Sequence, residues 1–386
     1  MTTATPLLAP LDPDRDARIT ALRAAMAVRG LTAVALTSPE NIYYLLGLDH
    51  LGYFAFTMLV LPAEGDPLLV TREMERATVL AQVPGARHVT FADGEDPADA
   101  AARALAHAVP DGATVGVERH GSFLPPAVLD GLRAALPTLA WRDCSDLLAT
   151  ARAVQSATET GWARRAAAVS DAAMQAGIAA ARPGTAERDV AAATYHAMIS
   201  AGGEPPGFVP LIRPVAMLGQ EHVTWGDRAV APGQGLFLEL SGCVRRYHAP
   251  LCRTVHPGWA PPAAQEAAAA ALAGLAAARA ALRPGVRTGE VFAAWQRAVT
   301  GPAGPPPVRH HCGYLVGIGY PPSWVGGPEV LGIRPGGDVE VLAGMVFHLM
   351  SWVERPVGHV VSDTALVTAD GCELLTTVPR ELTVVS

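Results

Sequence analysis

The chain has 386 residues, of which 50% are hydrophobic and 17% charged, so it is long enough for two or three domains and too apolar to be disordered. Its net charge of −7 argues against nucleic acid or an anionic membrane as a partner. Five scattered cysteines without Cys-x-x-Cys spacing argue against a disulfide framework and a structural zinc site. The first residues lack the signal-peptide pattern and no apolar run reaches about 18 residues, so we expect a cytoplasmic protein without a membrane span.

Hydrophobic periodicity predicts alternating helices and strands over residues 1–150, the pattern of a compact α/β domain. Residues 150–158 carry no strand or turn signal, and we interpret them as the link to a second domain over residues 151–386. The predicted strands are 31–38, 54–62, 67–71, 88–92 and 114–118, and the predicted helices are 15–29, 73–82, 97–109 and 125–135.

The second part of the chain contains an internal repeat. Residues 182–185 (Arg-Pro-Gly-Thr) lie between two predicted helices, and residues 283–286 (Arg-Pro-Gly-Val) do the same about a hundred residues later. The strand that contains Glu239 corresponds to the strand that contains Met350. Two copies at this spacing indicate a duplication, not a solenoid, and predict an α+β domain with pseudo-twofold symmetry. If the two halves face one cleft, Glu239 and Met350 are equivalent positions on its walls.

Glu239 is an ionisable residue in the apolar segment Leu236–Leu240. We interpret Ser241-Gly242 as the turn that joins this strand to the next one in a hairpin. A buried carboxylate is costly unless it is paired or hydrogen-bonded, so its presence requires a reason. The alternatives are a structural salt bridge to Arg245, Arg246 or Arg253 and a catalytic role.

Several of these motifs resemble the pita-bread superfamily of methionine aminopeptidases, prolidases, aminopeptidases P and creatinase. The resemblance rests on residues 38–45, the two helix–Arg-Pro-Gly–helix units and residues 363–368. It implies a creatinase-type N-terminal α/β domain followed by a pita-bread catalytic domain. The peptidases of this superfamily hold two metal ions with five ligands, which correspond here to Glu239, Pro250, Tyr314, Met350 and Ser362. Because four of these are not carboxylate or imidazole ligands, we expect neither a metal nor another cofactor.

Within the superfamily, the chain resembles the metal-free branch, namely creatinase and, more closely, the ectoine hydrolases. Residues 222–225, 239–255, 313–322 and 344–350 carry this second likeness. It implies that Glu239 and His222 are catalytic and that a C–N bond is hydrolysed in a small cyclic amidine. Ectoine or 5-hydroxyectoine would be opened to N-acetyl-2,4-diaminobutyrate, by attack of Glu239 on the amidinium carbon or by activated water. The resemblance also implies a homodimer.

Substrate contacts can be assigned to residues in these motifs and to a few residues outside them. An arginine, Arg253 or Arg246, would pair with the substrate carboxylate. The aromatic residues Trp225, Tyr314 and Trp352 would enclose a planar cation. The remaining candidate substrate-binding residues are Tyr247, His248, His348 and, from a loop of the first domain, Asp49.

Three other functions stay open. The sequence 360–363 differs from the Glu-x-x-Glu of ectoine hydrolases, so a creatinase-like or biosynthetic enzyme could act on another small zwitterionic amidine, guanidine or amide. A metal-dependent Xaa-Pro peptidase and a catalytically inactive binding module are the further alternatives. The run Arg309-His310-His311-Cys312 could bind a metal, but neighbouring side chains of a strand point to opposite faces.

Overall fold

The computed structural model describes residues 14–300, 309–326, 330–354 and 357–386. The chain divides into two compact units, the first ending at Arg152 and the second beginning at Ala153. None of the helices in these described ranges is long and apolar enough to cross a bilayer.

The first unit is built on a mixed sheet with strand order β4-β3-β2-β1-β5-β6. Strand β2 is antiparallel to both of its neighbours, whereas the other strands pair in parallel. The strands are β1 (Ala33–Leu36), β2 (Met58–Pro62), β3 (Leu68–Arg72), β4 (Arg87–Phe91), β5 (Thr114–Val117) and β6 (Ala140–Asp143). The helices are α1 (Arg15–Val28), α2 (Pro39–Leu46), α3 (Arg76–Gln82), α4 (Pro97–Ala108), α5 (Pro126–Ala135) and α6 (Ser145–Ala153).

The predicted α/β pattern of this unit is confirmed, with two additions. Helix α2 had not been predicted; it has proline at its first position and ends at Gly47, whose φ of 72° is left-handed. Strand β6 and helix α6 extend the unit after the last predicted helix. Helix α6 also occupies the beginning of the segment that we had interpreted as a link.

The second unit has a sheet with strand order β10-β11-β12-β9-β8-β7, and helices α7 and α9 pack on the same face of it. Two short strands extend it, β13 beside β12 and β14 beside β9. The helices are α7 (Ala157–Ala180), α8 (Glu187–Ser200), α9 (Pro262–Ala281) and α10 (Thr288–Thr300). The strands are β7 (Leu211–Pro214), β8 (Leu236–Val244), β9 (Tyr247–Pro257), β10 (Gly313–Leu315), β11 (Val346–Val353), β12 (His359–Val367), β13 (Cys372–Leu374) and β14 (Thr383–Val385).

The predicted internal repeat is confirmed by the order of these elements. Two helices and three strands (α7-α8-β7-β8-β9) are followed by the same series (α9-α10-β10-β11-β12), and the strand order is symmetric about the β9–β12 pair. Gly184 and Gly285, which begin the turn into the second helix of each copy, have the same left-handed φ of 85°. The second unit is therefore the pseudo-twofold α+β fold that the sequence predicted.

The position of one hairpin turn was predicted wrongly. Strand β8 continues through Ser241 and Gly242, and the turn is formed by Arg245 and Arg246, with φ values of 53° and 63°. Glycine is required at position 242 for packing, because a Cβ atom there would collide with the backbone of helix α7 at Ala166.

Candidate active site

Four side chains form a row across the centre of the second sheet. Glu239 lies opposite Cys252, Cys252 opposite Ser362, and Ser362 opposite Met350. Because side chains alternate between the two faces of a strand, Glu239 points away from its neighbour Leu238, which belongs to the core cluster that includes residues of α7. Glu239 therefore lies on the sheet face opposite helix α7. Met350, the equivalent residue of the second repeat, lies in the same row and so on the same face.

A cavity of about 70 Å³ opens on this face of the sheet. It contains the predicted residues Glu239, His222, Tyr314 and Trp352. The remaining lining residues are Phe208, Leu211, Glu221, Arg309, His311, Trp324 and Met350.

The Glu239 side chain is buried and has an unusual electrostatic environment. The residue is 8% exposed, and within the described residues its carboxylate has no hydrogen-bond partner; His348 Nδ1 lies 3.9 Å away. Burial raises the pKa of Glu239 to about 7, although the positive charges of Arg213 and Arg309 oppose this effect. The expected salt bridges to Arg245, Arg246 or Arg253 are not formed, since these side chains contact Trp162, Tyr320 and Asp363. A carboxyl group of this kind is suited to proton transfer or nucleophilic attack near neutral pH.

Arg213 supplies part of the positive potential at Glu239. It lies on β7, where Leu211 is opposite Glu239, so Arg213 shares the open face. Its side chain is fully buried, stacks 4.6 Å from the Phe237 ring and donates to the backbone oxygens of Met217 and Val223. Because Arg213 is held by these backbone contacts, its charge is fixed beside the cavity.

His348 is the centre of a hydrogen-bond network next to Glu239. Its Nδ1 bonds to Tyr314 Oη at 3.0 Å and its Nε2 to Ser362 Oγ at 2.6 Å. Tyr314 Oη accepts a further bond from Trp324 Nε1 at 3.0 Å, and Ser362 Oγ accepts one from the Cys252 amide at 2.7 Å. Burial, with a smaller effect of His311, lowers the pKa of His348 to about 3, so the ring is neutral. His348 thus holds Tyr314 in the cavity wall but is not itself a lining residue, and its contact with substrate stays a prediction.

His222 lines the same cavity but is exposed to solvent. Its ring stacks on Phe208 with 5.9 Å between centroids and an angle of 10° between planes. The tertiary structure therefore brings the two predicted catalytic residues together, one buried and one in contact with water. The His222 ring therefore contacts both the cavity and the solvent.

The sequence prediction missed several residues of the cavity wall. Arg309 and Glu221 form an ion pair at 2.5 Å, and the Arg309 guanidinium lies 4.0 Å from the centre of the Trp352 ring. His311 is partly buried, and this burial, with the positive charge of Arg309, lowers its pKa to about 4. Glu221 adjoins His222 in the sequence, and Arg309 and His311 belong to the run considered as a metal site, so both motifs had been identified without their role in the cavity.

Three predicted substrate contacts lie outside the cavity. The Tyr247 hydroxyl bonds to Glu159 of helix α7 at 2.5 Å, and Trp225 packs edge-to-face on Tyr195 of helix α8. His248 shares the open face, but its Nε2 accepts a bond from the Gly207 amide at 2.9 Å and the residue is fully buried. Burial also lowers the pKa of His248 to about 4. These three side chains do not line the cavity.

Arg253 was expected to bind the substrate carboxylate, but its donors are all occupied. It lies opposite Leu238 and therefore on the helix-facing side of the sheet. Since a guanidinium has five N–H donors, the five hydrogen bonds formed here leave none for a ligand. The acceptors are the Asp363 carboxylate and the backbone oxygens of Cys252, Ser362, Val378 and Pro379.

We expect Arg253→Met to lower the free energy of unfolding by about 3–5 kcal/mol, because it leaves four buried backbone oxygens without this donor. Asp363 loses one of its two arginine partners and keeps the other, Arg380. Denaturant titration would measure this loss, and the KM of the folded protein should stay unchanged. Arg164→Met is a matched control at an exposed ion pair with Glu373, where the expected loss is below about 1 kcal/mol. A large increase in KM at unchanged stability would contradict this structural role and indicate that Arg253 binds the substrate.

Asp49, the candidate from the first domain, lies in the first unit after helix α2. Its backbone N–H donates to Gln82 Oε1 at 2.7 Å, and its backbone oxygen accepts from Gln82 Nε2 at 2.9 Å. These contacts fix the backbone of the loop, and a contact of Asp49 with substrate stays a prediction.

Comparison with known proteins agrees with this architecture. The model of "Metallopeptidase family M24" matches residues 162–369, more than half of the chain, and "Creatinase/Prolidase N-terminal domain" matches residues 18–154. The chain belongs to metallopeptidase family M24. The predicted pita-bread fold with a creatinase-type N-terminal domain is thereby confirmed.

Three M24-type relatives show how far the likeness extends. The "uncharacterized hydrolase/peptidase y4tM" of Sinorhizobium fredii is 30% identical over 390 residues, covering 97% of this chain and 98% of that protein. The "ectoine hydrolase" of Halomonas elongata is 28% identical over 395 residues, covering 95% and 96%. The crystal structure of dipeptidase PepE from Mycobacterium ulcerans superposes with a TM-score of 0.80 at 26% identity, covering 98% and 100%. The family is thus clear, and its members with named activities differ in substrate.

The five residues that the family resemblance assigned to the metal-ligand positions do not fit a pair of divalent ions. Pro250 and Met350 offer no oxygen or imidazole ligand, and Tyr314 and Ser362 are hydrogen-bonded to His348. Among the residues that the structure describes, no group of three or more His, Cys, Asp and Glu side chains could hold a metal ion. Glu239 is the carboxylate that remains at these five positions.

Proposed function

We propose that this protein is a metal-independent hydrolase that opens a C–N bond in a small cyclic amidine, with ectoine or 5-hydroxyectoine as the substrate type. The observation that carries the proposal is Glu239, a buried carboxyl group without a hydrogen-bond partner among the described residues, which faces a cavity that also contains His222. Such a group is costly to bury unless water or a ligand in the cavity completes its interactions.

The chemistry follows from charge complementarity between Glu239 and an amidinium ion. A cation in the cavity would favour the charged form of Glu239, whose pKa of about 7 makes both forms accessible at neutral pH. The carboxylate then either attacks the electrophilic amidinium carbon or holds the cation while water attacks it. In the first case a bond forms between a Glu239 oxygen and the amidine carbon, the C–N bond breaks, and water then hydrolyses the covalent intermediate, which regenerates the Glu239 carboxylate. In the second case water adds to the carbon directly and the C–N bond breaks. Both routes consume one water and give an amide and an amine.

His222 is suited to the proton transfers of this reaction because it lies in the same cavity and reaches solvent. It accepts a proton from the attacking water as the C–O bond forms and returns it to the departing ring nitrogen. The rings of Tyr314, Trp324 and Trp352 form walls that exclude bulk water and favour a planar cation.

The relatives favour two substrate classes. Similarity to the ectoine hydrolase of Halomonas elongata supports a cyclic amidine, whereas similarity to dipeptidase PepE supports a peptide. Peptide hydrolysis in this fold would require side chains that bind metal ions, and Pro250 and Met350 cannot serve as such ligands. The amidine is therefore our first candidate.

We expect the purified protein to open ectoine in the presence of excess chelator. Proton NMR would detect N-acetyl-2,4-diaminobutyrate or its regioisomer, and the rate should not change when Zn²⁺, Mn²⁺ or Co²⁺ is added back. Xaa-Pro dipeptides serve as the comparison substrates. Dipeptide cleavage that requires added metal, together with unchanged ectoine, would replace this proposal by the peptidase alternative.

A further inference from the structure

The cavity contains a second buried group whose hydrogen bonds are incomplete. The side chain of Arg309 is 6% exposed, and its Nε has no hydrogen-bond partner among the described residues. The guanidinium is positioned by its stacking on Trp352 at 4.0 Å. A buried, unpaired N–H is costly, and the Arg309 side chain lines the cavity, so its hydrogen bonding is incomplete in the free protein at a place where a ligand can approach the guanidinium.

The present partner of Arg309 is unevenly bound and partly exposed. Glu221 accepts from Nη1 at 2.5 Å and from Nη2 at a long 3.4 Å, and its side chain is 36% exposed. Glu221 also lines the cavity, so its carboxylate places negative charge next to Arg309 in the free protein. A ligand carboxylate could take the place of Glu221 without leaving the guanidinium uncompensated.

The other buried arginines of this unit do not offer such a site. Arg253 has all five donors occupied on the opposite face of the sheet. Arg213 also has a donor without a partner, Nη2, but its side chain is fully buried and does not line the cavity. Arg246 stacks on Tyr320 and likewise lies outside the cavity lining.

We propose that Arg309 binds the carboxylate of the substrate and that Glu221 occupies this position until substrate displaces it. The cavity would then recognise a zwitterion, with its cation at Glu239 and its carboxylate at Arg309. This inference rests on the proposed function for the identity of the substrate, but the pairing of Arg309 with a ligand carboxylate can be measured without turnover.

The test compares ectoine with its neutral carboxamide in steady-state kinetics. Arg309→Gln should raise the KM for ectoine about 100-fold, since a charge-assisted bidentate contact is lost, and should leave the KM for the carboxamide within about threefold. Glu221→Gln should lower the KM for ectoine several-fold, because the competing charge is removed. Arg188→Gln, at an exposed ion pair with Asp227, is the matched control and should behave like the wild type.

Substitution of Arg309 and substitution of Glu221 should thus change the KM for ectoine in opposite directions. If the ion pair were only structural, both substitutions would have the same effect. Equal increases in KM for ectoine and carboxamide, or a loss of affinity in both variants, would overturn the assignment of Arg309.

A binding measurement separates this inference from the proposed function. L-proline, a ring zwitterion without an amidine, can be titrated against L-prolinamide by the fluorescence of the cavity residues Trp324 and Trp352. If ectoine is not hydrolysed but L-proline binds the wild type and loses affinity in Arg309→Gln, the inference stands and the proposed function fails. If neither zwitterion binds, or if L-proline binds Arg309→Gln as it binds the wild type, the inference fails.

Discussion

Replacing Glu239 with glutamine is expected to lower kcat about 1,000-fold, since a nucleophile or general base contributes on the order of 10²–10⁴. The amide has the same shape but can neither attack nor take a proton. Because glutamine avoids a buried charge, the variant should fold at least as well as the wild type. Turnover and thermal unfolding would be measured on the same preparations. A decrease in kcat of less than about tenfold would show that Glu239 is neither the nucleophile nor the general base.

The pH dependence of the same variant provides a second measurement. The pKa of Glu239 rises from 4.5 to about 7 on folding, so the folded state holds the proton more tightly. The wild type therefore loses stability relative to Glu239→Gln as the pH rises from about 4.5 through 7, by about 3 kcal/mol in total. If the carboxylate is the reactive form, kcat/KM of the wild type should rise with pH and level off above about 7.

Glu187→Gln is the matched control for these experiments. Glu187 is also buried, at 1% exposure, but its carboxylate bonds to Arg228 at 2.5 and 2.7 Å and to the Gly226 amide at 2.9 Å. Its substitution should destabilise the fold and leave kcat unchanged. The two buried glutamates would thus be distinguished by opposite effects on stability and activity.

His222→Ala is expected to lower kcat/KM about 100- to 1,000-fold because the proton shuttle is lost. His222 is exposed, so the free energy of unfolding should change by less than about 0.5 kcal/mol. Added imidazole should restore part of the rate, since it can fill the space left beside Phe208.

The matched control for this experiment is His196→Ala, which removes another exposed histidine of the same unit. It should retain the rate of the wild type. Wild-type turnover in His222→Ala, or an equal loss in both variants, would contradict the assigned role.

The local parts of the candidate site were accessible from the sequence. Glu239 could be recognised because a carboxylate inside an apolar strand is costly, and Met350 because the same strand recurs in the second repeat. Tyr314 and His222 were found through the family likeness of their motifs, and Trp352 as an aromatic residue suited to enclose a planar cation. Each of these predictions depends on a few neighbouring residues or on a repeat, both of which can be read along one chain.

The predictions failed where the face of a strand or a distant partner decides the outcome. Arg253 belongs to a motif of the site, but it pairs with Leu238 and so faces the helices. Arg309 lies 70 positions after Glu239 along the chain, yet it lowers the pKa of that carboxyl and binds Glu221 in the same cavity. Such relations depend on register and on how distant loops meet, which local patterns do not encode.

The sequence by itself determined the two-domain organisation, the duplicated α+β fold and the buried carboxyl group, because hydrophobic periodicity, repeats and charge placement are properties of neighbouring residues. The tertiary structure alone decided which cations act on Glu239 and which arginine can bind a ligand. Long-range packing set these features, since it buried Arg253 among backbone acceptors and left Arg309 with an unpaired donor in the cavity wall.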